Sequence, residues 1–284
     1  MTASMFEETL HSAVGQRMVV DRPLFEADSG LQKVLVFENA VYGRVMAIDG
    51  VVQVTLKDEF IYHEMLTHVA LLSHGAARDV LVIGGGDGGT IRRVLEHDTV
   101  SRVTLVELDR TVIDLARQYM PDVGGTAFDD PRLDLVIAEG GAFLANSRDQ
   151  WDVIIVDGTD PVGPGLELYS DRFYGGCRKC LRPGGVLVSQ CGVPFLQPDS
   201  LAGSSGRLAR IFPAVRCFTA AIPSYYGGDM AFLWAGERFE QATPDLTDLR
   251  DRWTAAGLTT RFYSPERHLG SFALPGFIEA LIAR

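Results

Sequence analysis

From residue 79 the chain repeats one cycle: a short apolar run, then a polar segment whose apolar residues recur at helical spacing. The runs are DVLVIG (79–84), RVTLVELD (102–109), LDLVIAEG (133–140), WDVIIVD (151–157) and GVLVSQ (185–190). TIRRVLEH and RTVIDLARQYM are the first two helical segments between them. Strands that are apolar on both faces and alternate with helices have to be covered on both sides. The pattern therefore predicts an α/β fold with a parallel, doubly wound sheet. The chain closes differently. VRCFTAAIP (215–223) and MAFLWA (230–235), joined by SYYGGD, predict a C-terminal antiparallel hairpin on the sheet edge. Ahead of the cycle, KVLVFENAVYGRVMAIDGVVQVTL (33–56) holds three strand-like runs broken at ENA and at Asp49-Gly50, the latter a strong hairpin signal. This predicts a small N-terminal antiparallel β-hairpin domain over 1–57 and a catalytic domain over 58–284. The second opens on DEFIYHEMLTHVALLSHG, whose apolar positions 61, 65, 66, 69 and 72 predict an amphipathic helix.

Two motifs sit where strands of such a sheet end. GGGDGG (84–89) fits G-x-G-x-x-G between a strand and a helix, and Glu107 and Asp109 close the next strand. Glycines let the backbone turn sharply against a ligand, and an acidic residue at the second strand accepts hydrogen bonds from ribose hydroxyls. A nucleoside-bearing ligand follows. Asp87 narrows it. A carboxylate inside the glycine loop opposes a pyrophosphate and equally opposes the carboxylate of S-adenosylmethionine, while it favours an ammonium or sulfonium. The second motif is DGTDPVGPG (157–165), which places Asp157 at a strand end and Asp160 three residues on. Aspartate and Pro-Gly are ordinary turn formers. Turn chemistry alone does not explain why Asp87, Glu107, Glu139, Asp157 and Asp160 converge on one crevice at the carboxyl ends of the strands. A polycation is the occupant that fits.

The net charge of −11 over 284 residues agrees, and it disfavours binding to a phosphate backbone, so no nucleic-acid partner is expected. The N-terminal segment has no basic region followed by a long apolar run, and no stretch approaches 18 uninterrupted apolar residues. The expectation is a cytoplasmic protein without a membrane partner. Cys177, Cys180, Cys191 and Cys217 read as reduced thiols. Cys177 and Cys180 form a CxxC with no second ligand pair, and HEMLTH (63–68) puts its histidines five apart, where they diverge on a helix, so no metal site is expected.

Taken together, VFENAVYGRVMAIDGVVQ, DEFIYHEMLTHV, IGGGDGG, VELD, DGTDPVGPG, AIPSYYGGDMAF and, more loosely, FALPGF resemble the polyamine aminopropyltransferases, in particular spermidine synthases of bacterial type, from about residue 31 to 279. The resemblance implies a Rossmann-like, methyltransferase-type sheet. It also implies transfer of a 3-aminopropyl group from decarboxylated S-adenosylmethionine, a co-substrate, to a diamine, usually putrescine. Spermidine and 5′-methylthioadenosine are then the products, and no other cofactor or metal is needed. By the same resemblance Asp157 is the proton acceptor, and Asp157, Gly158, Thr159 and Asp160 contact the polyamine. His63 and Asp87 hold amine groups, and Tyr62 and Tyr225 flank the reacting amine. Gln32, Glu107, Glu139, Gly140 and Pro164 bind the nucleoside. A homodimer or homotetramer built on the N-terminal hairpins is implied as well. Five positions depart from the family pattern. Glu139 stands in place of Asp, Leu166-Glu167 in place of Glu-Ser, Asp229 adds an acid, and Val14 stands where some relatives have an aromatic. Three other readings stay open: another acceptor (cadaverine, agmatine or spermidine), an S-adenosylmethionine-dependent methyltransferase, and a polyamine-binding protein without turnover.

Overall fold

The computed structural model describes residues 4–282, apart from 9 and 162 and the side chains of 163 and 164. Its N-terminal part is all antiparallel. β1 (Ser4–Glu7) pairs with β2 (Arg17–Val20), and β3 (Arg22–Asp28), β4 (Lys33–Asn39), β5 (Gly43–Ile48) and β6 (Val51–Thr55) form a four-stranded sheet in chain order. The sequence reading anticipated β4, β5 and β6. The Asp49-Gly50 turn is the expected tight one, with positive φ at both residues. The reading missed β1, β2 and β3. β3 carries Pro23, bulges between Pro23 and Phe25, and lies on the sheet edge, where a residue without an N–H is tolerated.

α1 (Glu59–His74) leads into a seven-stranded sheet of order β12-β13-β11-β10-β7-β8-β9. Its strands are β7 (Asp79–Gly84), β8 (Arg102–Glu107), β9 (Leu133–Ile137), β10 (Trp151–Asp157), β11 (Leu181–Gln190), β12 (Ala214–Ala221) and β13 (Asp229–Gly236). β7 to β11 pair in parallel, and β13 and β12 close the edge antiparallel, as expected. The helices between them are α2 (Gly89–Leu95), α3 (Arg110–Tyr119), α4 (Pro121–Gly124), α5 (Gly140–Asn146), α6 (Asp171–Cys180) and α7 (Pro198–Ile211). Four short C-terminal helices follow, α8 to α11, within 239–279.

The doubly apolar strands serve two cores. Along β7, Val80 and Val82 enter one, with α1 and α2, while Leu81 and Ile83 enter the other, with α6 and α7. Along β10, Val153 and Ile155 alternate with Ile154 and Val156 in the same way. α1 differs from its expected amphipathic form, because it is buried nearly all round. Its polar residues find protein partners instead of water. The Glu64 carboxylate accepts from the backbone N–H groups of Arg261, Phe262 and Tyr263. His68 pairs with His97 at 2.9 Å. The helix stops at Gly75, whose φ of 82° suits a glycine cap.

From β7 the chain moves outward to β8 and β9, then returns to place β10 on the other side of β7. The strand order reverses between β7 and β10, where Gly84 pairs with Asp157. Crevices in open parallel sheets form outside the strand ends at such a reversal.

Candidate active site

That reversal opens into a cleft. Its floor comes from the ends of β7, β8 and β10, one wall from β6 and the turn before β4, and the other from the segments after β10, β11 and β12. The loop after β7 is shaped by Gly84 and Gly85, both at positive φ. A Cβ on Gly84 would lie 2.2 Å from the Asp157 carbonyl oxygen, and one on Gly85 would lie 2.7 Å from Asp157 Oδ2. Only glycine lets this loop pass so close to the neighbouring strand end.

Asp157 is the centre of the polar network. Tyr62, in the first turn of α1, donates its hydroxyl to Asp157 Oδ1 at 2.6 Å. Thr90, in the first turn of α2, donates to Oδ2 at 2.6 Å. Burial and the nearby Asp87 carboxylate raise the proton affinity of Asp157, while His63 and the two hydroxyls favour its anion. The balance holds its carboxyl above the usual carboxylate range. Asp87 goes the other way. Burial opposes its charge, but His63 and a 2.7 Å hydrogen bond from the Gly89 N–H outweigh burial and keep it below that range. His63 lies between Glu59, at 2.8 Å from Nδ1, and Asp87, at 3.5 Å from Nε2. Burial would neutralise this imidazole, yet its two carboxylate partners push its pKa up to about 10. Two aspartates facing one cleft are thus held apart in proton affinity. Asp87 is anionic beside an imidazolium, and Asp157 is poised to take a proton.

The other expected residues fall around this pair. Gly158, Thr159 and Asp160 line the cleft after Asp157. Burial raises the Asp160 carboxyl, which accepts from Gln197 Nε2 at 2.6 Å. The Tyr225 ring meets the Tyr62 ring edge-on at 6.1 Å, and its hydroxyl donates to the Gln53 carbonyl. Glu107, Glu139, Gly140 and Gln32 line the opposite part of the cleft. Glu107 is buried and accepts from the Asp109 N–H at 3.0 Å, and burial pushes its pKa up to about 7. A Cβ on Gly140 would lie 2.6 Å from the Ile83 side chain. The side chain of Pro164 lies outside the described residues.

Several placements differ from the sequence reading. His63 does not line the cleft. It is 1% exposed and sits behind Asp87, because α1 turns that face inward against α2. Glu139 folds back on its own helix: its two carboxylate oxygens accept from the Gly141 and Ala142 N–H groups at 2.7 and 2.6 Å, so it serves as the N-cap of α5. Leu166 is exposed and, like Asp229, is not among the cleft residues; Gly165 and Leu168 take the lining positions beside Leu166. The Val14 carbonyl accepts from the Tyr226 hydroxyl at 3.2 Å.

Other residues of the site escaped the sequence reading. Gln190 ends β11, and its Nε2 donates to the Gly158 carbonyl at 2.8 Å, steadying the segment after Asp157. The strand-end rule that singled out Asp157 could have found it. Glu8 and His11 reach the cleft from the N-terminal hairpin region, where no spacing signals them. All four cysteines are buried and unpaired, and burial raises their thiols. No cluster of three metal-ligating side chains occurs among the described residues. No helix among them is long and apolar enough to cross a membrane.

Comparison with known proteins agrees over the whole chain. Residues 59–244 match the family model of the spermine/spermidine synthase domain, and residues 5–55 that of the spermidine synthase tetramerisation domain. The polyamine aminopropyltransferase of Pectobacterium carotovorum is 51% identical, covering 95% of this chain and 94% of its own. Polyamine aminopropyltransferase 1 of Pseudomonas aeruginosa is 47% identical, covering 99% and 98%. A crystal structure of spermidine synthase in complex with the transition state analogue AdoDATO superposes with a TM-score of 0.94 at 34% identity, covering 99% and 96%. The spermidine synthase of Thermotoga maritima superposes at 0.90 and 32% identity, covering 99% and 95%.

Proposed function

The chain belongs to the polyamine aminopropyltransferase family, and from that premise we propose that it moves the 3-aminopropyl group of decarboxylated S-adenosylmethionine to putrescine, giving spermidine and 5′-methylthioadenosine. The observation that carries this reading is the pair of unlike carboxylates, Asp87 held anionic and Asp157 held at raised proton affinity, in one cleft. The sulfonium donor is already an activated electrophile. What the enzyme adds is position and one proton acceptor. The amine arrives as an ammonium and gives a proton to Asp157. Its lone pair then attacks the propyl carbon next to sulfur. The new carbon–nitrogen bond forms as the carbon–sulfur bond breaks, and that electron pair returns to sulfur as a thioether. Positive charge leaves sulfur and gathers at nitrogen, beside the acidic residues, so they favour the transition state over the ground state.

Each residue takes a role within that step. Asp87 holds the aminopropyl ammonium of the donor, with His63 behind it fixing its charge. Tyr62 and Tyr225 flank the attacking amine, and the 157–160 segment holds the acceptor. Glu107 and Gln32 bind the nucleoside, Glu107 through the ribose. Gly140, packed closely on Ile83, and Pro164 complete the nucleoside contacts. Glu139, occupied as a helix cap, contributes through the position of α5. Apart from the co-substrate, the reaction needs no cofactor or metal. The protein works in the cytoplasm as a homodimer or homotetramer, as the match of its N-terminal residues to a tetramerisation domain supports.

A mass-spectrometric endpoint assay with decarboxylated S-adenosylmethionine and an equimolar mixture of putrescine, cadaverine, agmatine and spermidine tests the reading. The expected products are spermidine and methylthioadenosine. A different aminopropylated product would move the acceptor, and methylation from S-adenosylmethionine would overturn the reaction. Asp157→Asn should lower kcat by about 10²- to 10⁴-fold, the range for loss of a general base, while methylthioadenosine still binds. Equal loss of turnover and nucleoside binding would remove Asp157 from its role.

A further inference from the structure

Thr90 is fully buried and does not line the cleft, so it does not meet the substrates. Its hydroxyl nonetheless donates 2.6 Å to Asp157 Oδ2, on the oxygen opposite the one that Tyr62 holds. The two donors come from different helices, α2 and α1, each from a first turn whose backbone is locked by packing. A carboxylate gripped at both oxygens by rigid donors cannot rotate, and each oxygen keeps one lone-pair direction free. We propose that Thr90 is a positioning residue for the reaction: its hydroxyl fixes the rotation of the Asp157 carboxylate and favours the form that can accept a proton. The inference rests on the assignment of Asp157 as proton acceptor.

The surroundings of Asp157 make this bond consequential. Tyr62 and His63 face it from α1, Asp87 from the loop after β7, Tyr169 from the segment after β10, and Tyr225 from the loop between β12 and β13. Among them Asp87 opposes ionisation of Asp157, and burial adds to that; the imidazolium of His63 and the hydroxyls of Tyr62 and Thr90 favour it. Thr90 is the one of these whose removal leaves both the proposed substrate contacts and the Asp87–His63 pair in place. Hydrogen bonds to a charged group contribute more than those between neutral groups, because the anion gains what the neutral acid does not.

The test is the pH dependence of kcat/KM for Thr90→Val, which keeps the shape and loses the hydroxyl, beside Thr90→Ser, which keeps the hydroxyl and loses a methyl. The acceptor is the best one found in the endpoint assay. In Thr90→Val the acidic limb should move to higher pH by about one to two units, the equivalent of one hydrogen bond to a charged group. Above the shifted limb the rate should return to within a fewfold of wild type. Thr90→Ser should keep the wild-type limb. A loss of rate shared equally by Thr90→Val and Thr90→Ser would make Thr90 a packing residue only and overturn the proposal. So would an unmoved limb, or an equal shift in both variants. If Thr90→Val does not fold, Thr90→Ala against Thr90→Ser gives the same comparison. An inactive Asp157→Asn beside an unmoved Thr90→Val limb would sink this inference alone, whereas an active Asp157→Asn would sink the reading beneath it.

Discussion

At the scale of single residues, Asp87 and Asp157 have the same side chain and opposite protonation tendencies, and neighbours decide which is which. An imidazolium and a backbone N–H favour the Asp87 anion, whereas burial and Asp87 itself raise the proton affinity of Asp157. A fixed negative charge at Asp87 repels a donor that carries a carboxylate and attracts one that lacks it. Asp87→Asn should therefore weaken inhibition by S-adenosylmethionine less than it weakens use of the decarboxylated donor. The ratio of the two affinities should narrow by about tenfold or more, the scale of a lost close charge contact. Competitive inhibition measured in both proteins checks this, and an unchanged ratio removes Asp87 from donor selection. The residue types of this pair were legible in the sequence, since an acid inside a glycine loop and another at a strand end are local signals. What keeps Asp87 ionised was not, because it depends on His63 and Glu59, which α1 brings up behind it.

At the scale of elements, the parallel strands were readable because residues such as Val80 to Ile83 are apolar on both faces, which only a covered sheet requires. β1 to β3 were not. β3 is half-exposed and carries a proline, so it shows neither alternation nor a continuous apolar run. α1 was read with a solvent face that it lacks, because Glu64 and His68 look like surface residues until the 261–263 segment and His97 arrive to partner them. The turn between β7 and α2 is the most constrained element. Gly85→Ala would place a methyl at a φ of 75° and 2.7 Å from Asp157 Oδ2. Backbone strain of about 1 kcal/mol should lower stability modestly. Displacement of the carboxylate should lower kcat far more, by about a hundredfold, as a misplacement near 1 Å does. Thermal melting and steady-state kinetics on one preparation separate the two effects, and a loss of stability without a larger loss of kcat would contradict this.

At the scale of the whole molecule, the cleft is shared between the four-stranded and the seven-stranded sheet. Gln53 lines it from β6 and Gln32 from the turn before β4, and specific bonds tie the parts together: the Ser29 hydroxyl donates to Asp109 at 2.5 Å, and Arg44 donates to the Tyr119 carbonyl at 2.7 Å. Global stability should carry the mark of the buried histidine. Its pKa of about 10 lies above the ordinary 6.5. The stabilisation it contributes is therefore complete below 6.5 and is lost as pH rises toward 10. The melting temperature should fall across that window, and His63→Gln should flatten the slope; equal slopes would mean the imidazolium does not contribute. The cysteines have a different consequence for anyone handling the protein. None of the four is more than 3% exposed, and each thiol is held in its protonated form. Maleimide reagents would pass over all of them in the folded enzyme. A single cysteine added at Leu166 or Phe195, both exposed and close in sequence to cleft-lining residues, would then carry a fluorophore alone, with no native thiol removed first.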